Sequence, residues 1–62
     1  MIRLLEDSEA RMRRRAAIAV GRVGLPEGVP PLVRLLQRDA DPEVRQMAAF
    51  GLGLIGDQSA VE

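Results

Sequence analysis

The residues of this 62-residue chain that could do chemistry are nine arginines and nine carboxylates. Histidine, cysteine, tyrosine and lysine are all absent. General acid–base and nucleophilic catalysis depend mostly on these residue types, and structural zinc sites need cysteine or histidine. Ser8 and Ser59 have no plausible base, and Asp41 is better explained as a helix cap than as a partner of Asp39. We therefore predict that the chain is not an enzyme and uses no cofactor or metal.

The arginines are concentrated between Ala10 and Pro26, where no acid is found. Arg11, Arg15 and Arg22 follow one another at spacings of four and seven, so they share one face of a helix and are candidate phosphate contacts. The alternative is a solvated face neutralised by acids of neighbouring helices. We favour this alternative because the net charge is +0 and the sequence has a single aromatic residue for base stacking. Nucleic acid is accordingly a disfavoured partner.

The length and the apolar pattern limit the architecture and the location of the chain. A sequence of 62 residues provides at most one small domain of marginal stability. Apolar runs are too short for a membrane helix, and the opening MIRLLED lacks the long apolar core of a signal peptide. We expect no membrane partner, and the lack of cysteine favours a cytoplasmic protein.

The chain repeats itself with a period of 32 residues. The stretch MRRRAAIAVGRVG at 12–24 is repeated as VRQMAAFGLGLIG at 44–56, and 3–5 matches 34–36 with a period of 31. Such a period is typical of stacked helical repeats. The identities are Arg13 with Arg45, Ala16 with Ala48, Ala17 with Ala49, Gly21 with Gly53, and Gly24 with Gly56.

Capping signals and apolar spacing predict four helices. Asp41 and Pro42 are typical of a helix start, whereas Gly24 followed by Pro26 is typical of a helix end. We expect Gly56-Asp57 to end the last helix, and the residues after it to lead towards a fifth. The predicted helices cover 1–6, 8 or 9 to 23, 28 or 29 to 38, and 42 to 56.

Two apolar stripes and several internal glycines indicate how these helices pack. The stripes are expected to face the core, and a glycine within a helix costs about 1 kcal/mol relative to alanine. We predict that Gly21, Gly51 and Gly53 are sites of close helix contact, and that Gly53→Leu is therefore destabilising. The stripes are Met12, Ala16, Ala19, Val20 and Val23 in the second helix, Val29, Val33 and Leu36 in the third, and Val44, Ala48, Leu52 and Ile55 in the fourth.

Residues 41–57, DPEVRQMAAFGLGLIGD, resemble the bacterial HEAT-like repeats also found in phycobilisome lyases. They follow the pattern D-P-x-V-R-x-x-A-A-x-x-L-G-x-I-G-D, while the first copy has Glu9-Ala10 for the opening Asp-Pro and Leu25 for the closing Asp. The resemblance implies an all-α fold, an α-solenoid of right-handed, stacked antiparallel helical hairpins. The phrase RQMAAFGLGLIGD is also similar to repeats of bacterial proteins that carry a cyclophilin-type prolyl isomerase.

On this interpretation, 1–62 is a single HEAT-like segment with a partial repeat at 1–7, a repeat at 8–38 and a partial repeat at 39–62. About three units are usually needed for a stable stack. We therefore expect either a piece of a longer solenoid or identical copies that stack through exposed apolar ends, as a dimer or a filament.

The resemblance also suggests roles for the remaining polar residues. It implies that Arg13 and Arg45 join successive repeats by pairing with a carboxylate such as Asp41 or Asp57, the alternative being a ligand-binding ladder. Because the second helix of each pair lines the concave surface in this family, the best-placed partner contacts are Arg34, Gln37 and Arg38.

The predicted function is a protein–protein interaction scaffold without catalysis of its own. Three alternatives remain open: a subunit that self-assembles through its repeat ends, a nucleic-acid binder, and a fragment of a multidomain bacterial enzyme such as a HEAT-containing prolyl isomerase.

Overall fold

Every element of regular structure in residues 2–60, which the computed structural model describes, is helical. The predicted all-α fold is therefore confirmed. The elements are an N-terminal 3-10 helix at Ile2–Glu6, helix α1 at Ala10–Val23, a short 3-10 helix at Pro26–Gly28, helix α2 at Val29–Arg38 and helix α3 at Pro42–Ala60.

Helix α1 begins with a weak cap and ends at the predicted glycine. Its N-cap residue, Glu9, makes no side-chain hydrogen bond to the helix, as expected from the replacement of the family's aspartate. At the other end Gly24 takes the left-handed conformation with φ 76, and its amide donates to the carbonyl of Val20 at 3.0 Å. Glycine adopts this conformation without steric cost, and Pro26 then prevents further helix.

Helix α3 begins with the cap that the sequence predicts. The Asp41 carboxylate accepts hydrogen bonds from the backbone amides of Glu43 at 2.8 Å and Val44 at 3.4 Å. Two of the amides that have no partner within the helix are thereby satisfied.

We expect Asp41→Ala to lower the free energy of unfolding by about 1 kcal/mol, because both capping bonds are lost. Asp41→Asn should lose much less, since asparagine caps about as well as aspartate. Chemical denaturation monitored by circular dichroism measures both changes. Equal losses in the two variants would show that the carboxylate charge, and not the cap, is responsible for the effect.

The prediction that α3 ends at Gly56-Asp57 is wrong, because the helix continues to Ala60. Among the described residues only Gly24 has a positive φ, so Gly56 does not act as a helix terminator. The two glycines differ in their downstream neighbours: proline comes two residues after Gly24, whereas the residues after Gly56 are ones that a helix accommodates. The expected approach to a fifth helix falls partly within α3, and 61–62 lie outside the described residues.

The core lies between α1 and α3, which pack side by side, with α2 against α3 and the N-terminal 3-10 helix against α1. The predicted stripes supply much of it, but the prediction is wrong for Val23, which is 56% exposed, and for Leu36, which is 38% exposed. The equivalent of Val23 one period later, Ile55, is only 6% exposed. Ile55 belongs to the buried cluster, whereas Val23 does not. The largest fully buried side chains are Leu5, Val20, Leu32 and Val44.

Gly21 and Gly51 bring the backbones of α1 and α3 into contact, as predicted. A Cβ atom at Gly21 would lie 2.6 Å from the Gly51 Cα, and one at Gly51 would lie 2.6 Å from the Ala17 carbonyl oxygen. Real Cβ atoms essentially never approach other atoms so closely, and these neighbours are backbone atoms that cannot rotate away. Glycine is therefore needed on both helices.

The prediction that Gly53 is a close-contact site is wrong. It is exposed, and a Cβ atom there would have nothing within 4 Å. Gly21 contacts Gly51 on α3, which belongs to the next unit. Gly53 lies one period after Gly21, and no described residue lies against it. The expected loss of stability in Gly53→Leu therefore has no basis in the structure.

Candidate functional site

Arg13 and Asp39 form a two-pronged ion pair between the two repeat units. Arg13 Nε donates to Asp39 Oδ2 at 2.7 Å, and Nη2 donates to Oδ1 at 3.2 Å. The side chains are 18% and 6% exposed, so the pair is largely shielded from water. The predicted acceptors, Asp41 and Asp57, are not the residues that Arg13 binds, because Asp39 in the turn before α3 lies directly opposite it.

Asp39 is held in its ionised form by these contacts. Burial of the carboxyl opposes ionisation, but the hydrogen bonds from Arg13 and from the Asp41 amide, together with the charges of Arg13 and Arg45, outweigh it. The pKa of Asp39 is therefore lowered from its ordinary value. The charge stabilises the junction and is not poised for proton transfer.

Arg13 and Arg45 make the same backbone contact in successive units. Arg13 Nη1 donates to the carbonyl of Asp7, and Arg45 Nη1 donates to the carbonyl of Asp39, both at 2.7 Å. The pairing of Arg45 with Asp41 or Asp57 is not formed; its other contact is with the carbonyl of Ala40 at 3.4 Å. Of these two arginines, Arg13 alone binds a side chain of another unit within the described residues.

The role of Asp39 and Asp7 was missed by reasoning from the sequence. The signal was available: each aspartate lies six residues before an equivalent arginine, one in each repeat. Asp41 was predicted as the acceptor because it matches the family pattern. In the structure it forms an ion pair with Arg14 at 3.6 Å, and both side chains are about a third exposed. Such exposed pairs contribute little to stability.

The arginine-rich face of α1 lines an open groove of about 420 Å³ against α3. Of the three candidate phosphate contacts, Arg15 and Arg22 line this groove and Arg11 does not. Arg22 already has an interaction within the chain, and the Glu43 carboxylate lies in the same groove. The remaining lining residues are Arg14, Ile18, Ala19, Gln46 and Met47.

A second exposed surface lies on α2, beside the N-terminal 3-10 helix that it contacts. The side chains of Arg34, Gln37 and Arg38 are all exposed. In the part of the chain that the structure describes, none of the three makes a hydrogen bond or an ion pair. We refer to these three residues as the α2 surface.

Neither a metal cluster nor a membrane span is found among the described residues. No three acidic, histidine or cysteine side chains there come together as ligands. No described helix combines the length and the apolar character needed to cross a bilayer.

Successive helical units with a shared core and an arginine ion pair at their junction define an α-helical repeat protein of the solenoid class. Comparison with protein families identifies HEAT repeats over residues 1–62, so the chain belongs to the HEAT-repeat family. HEAT repeats generally mediate protein–protein interaction. The search of curated proteins gives no match.

Proposed function

We propose that this chain is a protein–protein interaction scaffold with no catalysis of its own, and that the α2 surface contacts the partner. The observation that supports the proposal is that some arginines make contacts within the described part of the chain and others do not. Arg13, Arg14 and Arg45 are engaged within the chain, whereas Arg34 and Arg38 are exposed and unpaired among the described residues.

The chemistry of the α2 surface indicates what it binds. Arg34 and Arg38 are one helical turn apart, so their guanidinium groups project from the same side of α2. Gln37, which neighbours both, adds an amide that donates and accepts hydrogen bonds. Arginine binds carboxylates through paired hydrogen bonds. A protein segment with acidic residues fits this surface.

The finer family assignment is part of the proposal. Residues 41–57 support the bacterial, phycobilisome-lyase type of HEAT repeat, with repeat boundaries at 1–7, 8–38 and 39–62. A parent protein with a prolyl isomerase domain is the rival version. The reading frame that encodes the chain would distinguish the two. The absence of cysteine supports a cytoplasmic location.

Nucleic-acid binding is a second candidate, favoured by the presence of Arg14, Arg15 and Arg22 in one groove. The groove also contains Glu43, and Arg14 is paired with Asp41, so its positive potential is reduced. Retention on immobilised DNA or RNA at low salt that weakens as salt rises would support this function. The same retention in Arg15→Gln would assign the binding to another surface.

Photo-crosslinking in the native cell tests the scaffold function. A photoreactive amino acid at Gln37 is expected to give an adduct with a different protein, and the same residue at Gln46, an exposed glutamine on α3, serves as the matched control. The adduct should disappear in Arg34→Glu/Arg38→Glu, because the reversed charges repel an acidic partner. Adducts from position 46 alone, or adducts that survive the charge reversal, would contradict the assignment to α2.

A further inference from the structure

Met47 on α3 contacts both the core and an open groove. Its side chain is half-buried and packs against the cluster of buried residues that joins the helices. It also lines the groove of about 420 Å³ between α1 and α3. The thioether therefore combines apolar contacts on one side with a route from solvent on the other.

The groove is wide enough for a small solute to reach the Met47 side chain. Its volume of about 420 Å³ is many times the roughly 30 Å³ that one water molecule occupies in the liquid. Hydrogen peroxide is only slightly larger than water, so it can enter the groove without separation of the helices.

Met47 is also one of few side chains in this sequence that are readily oxidised. Cysteine, tryptophan, tyrosine and histidine are absent, and the methionines are Met1, Met12 and Met47. Met1 lies outside the described residues. Met12 on α1 is half-buried like Met47, but it does not pack against the buried cluster of the described residues. The methionines of the two helices therefore have different surroundings, which makes Met12 a matched control.

We propose that Met47 is a site of reversible oxidation, and that conversion of its thioether to the sulfoxide by hydrogen peroxide loosens the packing of α1 on α3. In this reaction the sulfur lone pair attacks one peroxide oxygen, an S–O bond forms, the O–O bond breaks and the second oxygen leaves as water. The sulfur loses two electrons and the peroxide gains them. Methionine sulfoxide reductases reverse the change with two electrons from a pair of thiols, which becomes a disulfide, and the oxygen leaves as water.

The loosening follows from the polarity of the sulfoxide. Methionine is flexible and apolar, so it fills the space beside a cluster that includes Ala17 of α1 and Ala48 of α3. The sulfoxide oxygen is polar, and the side chain must either keep its apolar contacts and lose hydration or turn outwards and give those contacts up. We expect oxidation to raise the unfolding equilibrium constant about tenfold.

Urea denaturation of the full chain before and after peroxide treatment tests the proposal, and mass spectrometry locates the added oxygen atoms. All samples are compared at one protein concentration. The oxidised wild type and oxidised Met12→Leu should unfold at lower urea concentrations than their untreated forms. Met47→Leu should keep its midpoint after the same treatment, because leucine has a similar volume and no sulfur. Methionine sulfoxide reductases with dithiothreitol should restore the wild-type midpoint.

Two outcomes would overturn the proposal at the level of the site. Met47 could stay unoxidised under peroxide that oxidises Met12, which would show that the groove does not admit the oxidant. Oxidised Met47→Leu could lose as much stability as the oxidised wild type, which would assign the effect to Met1 or Met12.

Two further outcomes would overturn its consequence. The oxidised wild type could keep its stability, as it would if an arginine of the groove, such as Arg14, donated a hydrogen bond to the sulfoxide oxygen. The midpoint could also stay low after mass spectrometry shows that the oxygen has been removed, which would exclude a reversible effect at Met47. The site is on α3, outside the α2 surface, so the proposal does not depend on the partner proposed for that surface.

Discussion

Gly51→Ala is expected to lower the free energy of unfolding by about 2 kcal/mol, whereas Gly53→Ala is expected to raise it by up to about 1 kcal/mol. The two glycines lie in the same helix, two residues apart, and the chemical change is identical. A helix gains stability when alanine replaces glycine, so Gly53→Ala shows this gain alone. The opposite sign at Gly51 must come from its surroundings.

Those surroundings are rigid at Gly51. The new methyl carbon would lie 2.6 Å from the Ala17 carbonyl oxygen and 3.5 Å from Leu32 Cδ1, so α1 and α3 must move apart. Overpacking of this kind costs typically 1–3 kcal/mol and here falls at the upper end, because a backbone atom cannot change rotamer. After the propensity gain is subtracted, a net loss of about 2 kcal/mol remains. For a chain of this size that is a large part of the total stability.

Urea denaturation of both variants and the wild type at one protein concentration measures the difference. Gly21→Ala provides a third comparison, because its methyl group would meet the Gly51 Cα from the opposite helix. If Gly51→Ala and Gly53→Ala changed stability in the same direction, the close approach of α1 and α3 would not limit the side chain at position 51.

The repeated sequence identified the elements well because each element is encoded locally. The cap at Asp41, the left-handed Gly24 and the start of α2 depend on a few adjacent residues, and all three are found as predicted. The end of α3 failed because Gly56 was assigned by analogy with Gly24, although the proline that comes after Gly24 has no counterpart.

Contacts between the units were predictable only in part. Periodicity shows that Gly21 and Gly53 are equivalent, but it does not show that equivalent residues at two ends of a stack have different neighbours. The acceptor of Arg13 is a similar case. Asp39 lies in the turn between α2 and α3, and the tertiary packing of the helices brings its carboxylate to a guanidinium on α1. The α2 surface was identified from the resemblance, and its role remains a prediction.

The second large effect is expected at the ion pair between Arg13 and Asp39. Asp39→Asn should lower the free energy of unfolding by about 2 kcal/mol, since a neutral amide cannot accept both guanidinium bonds and leaves a largely buried arginine charge without a counter-charge. The value is below the 3–5 kcal/mol typical of fully buried pairs because Arg13 retains 18% of its exposure. Asp41→Asn is the control, as it removes only the exposed pair with Arg14.

A double-mutant cycle with Arg13→Gln isolates the pair itself. If the bond between the two side chains is what stabilises the junction, the losses in Arg13→Gln and Asp39→Asn should not add, and a coupling energy of about 1 kcal/mol or more should remain. Additive losses would show that the bond between these two side chains does not account for the effect of Asp39→Asn.

The pH dependence of the same variant provides an independent test of the charge. The pKa of Asp39 is lower in the folded chain than its ordinary value, so around the ordinary aspartate pKa of about 3.9 the unfolded chain binds more protons. The stabilisation from Asp39 is therefore complete above that pKa and is lost as the pH falls through the lower folded value. Asparagine does not titrate, so the gap in stability between wild type and Asp39→Asn should be constant near neutrality and narrow as the pH is lowered from about 5 to 2. Since proton binding depends on the charge and not on packing, a gap that stays constant down to the acid end would show that Asp39 acts by shape and hydrogen bonding alone.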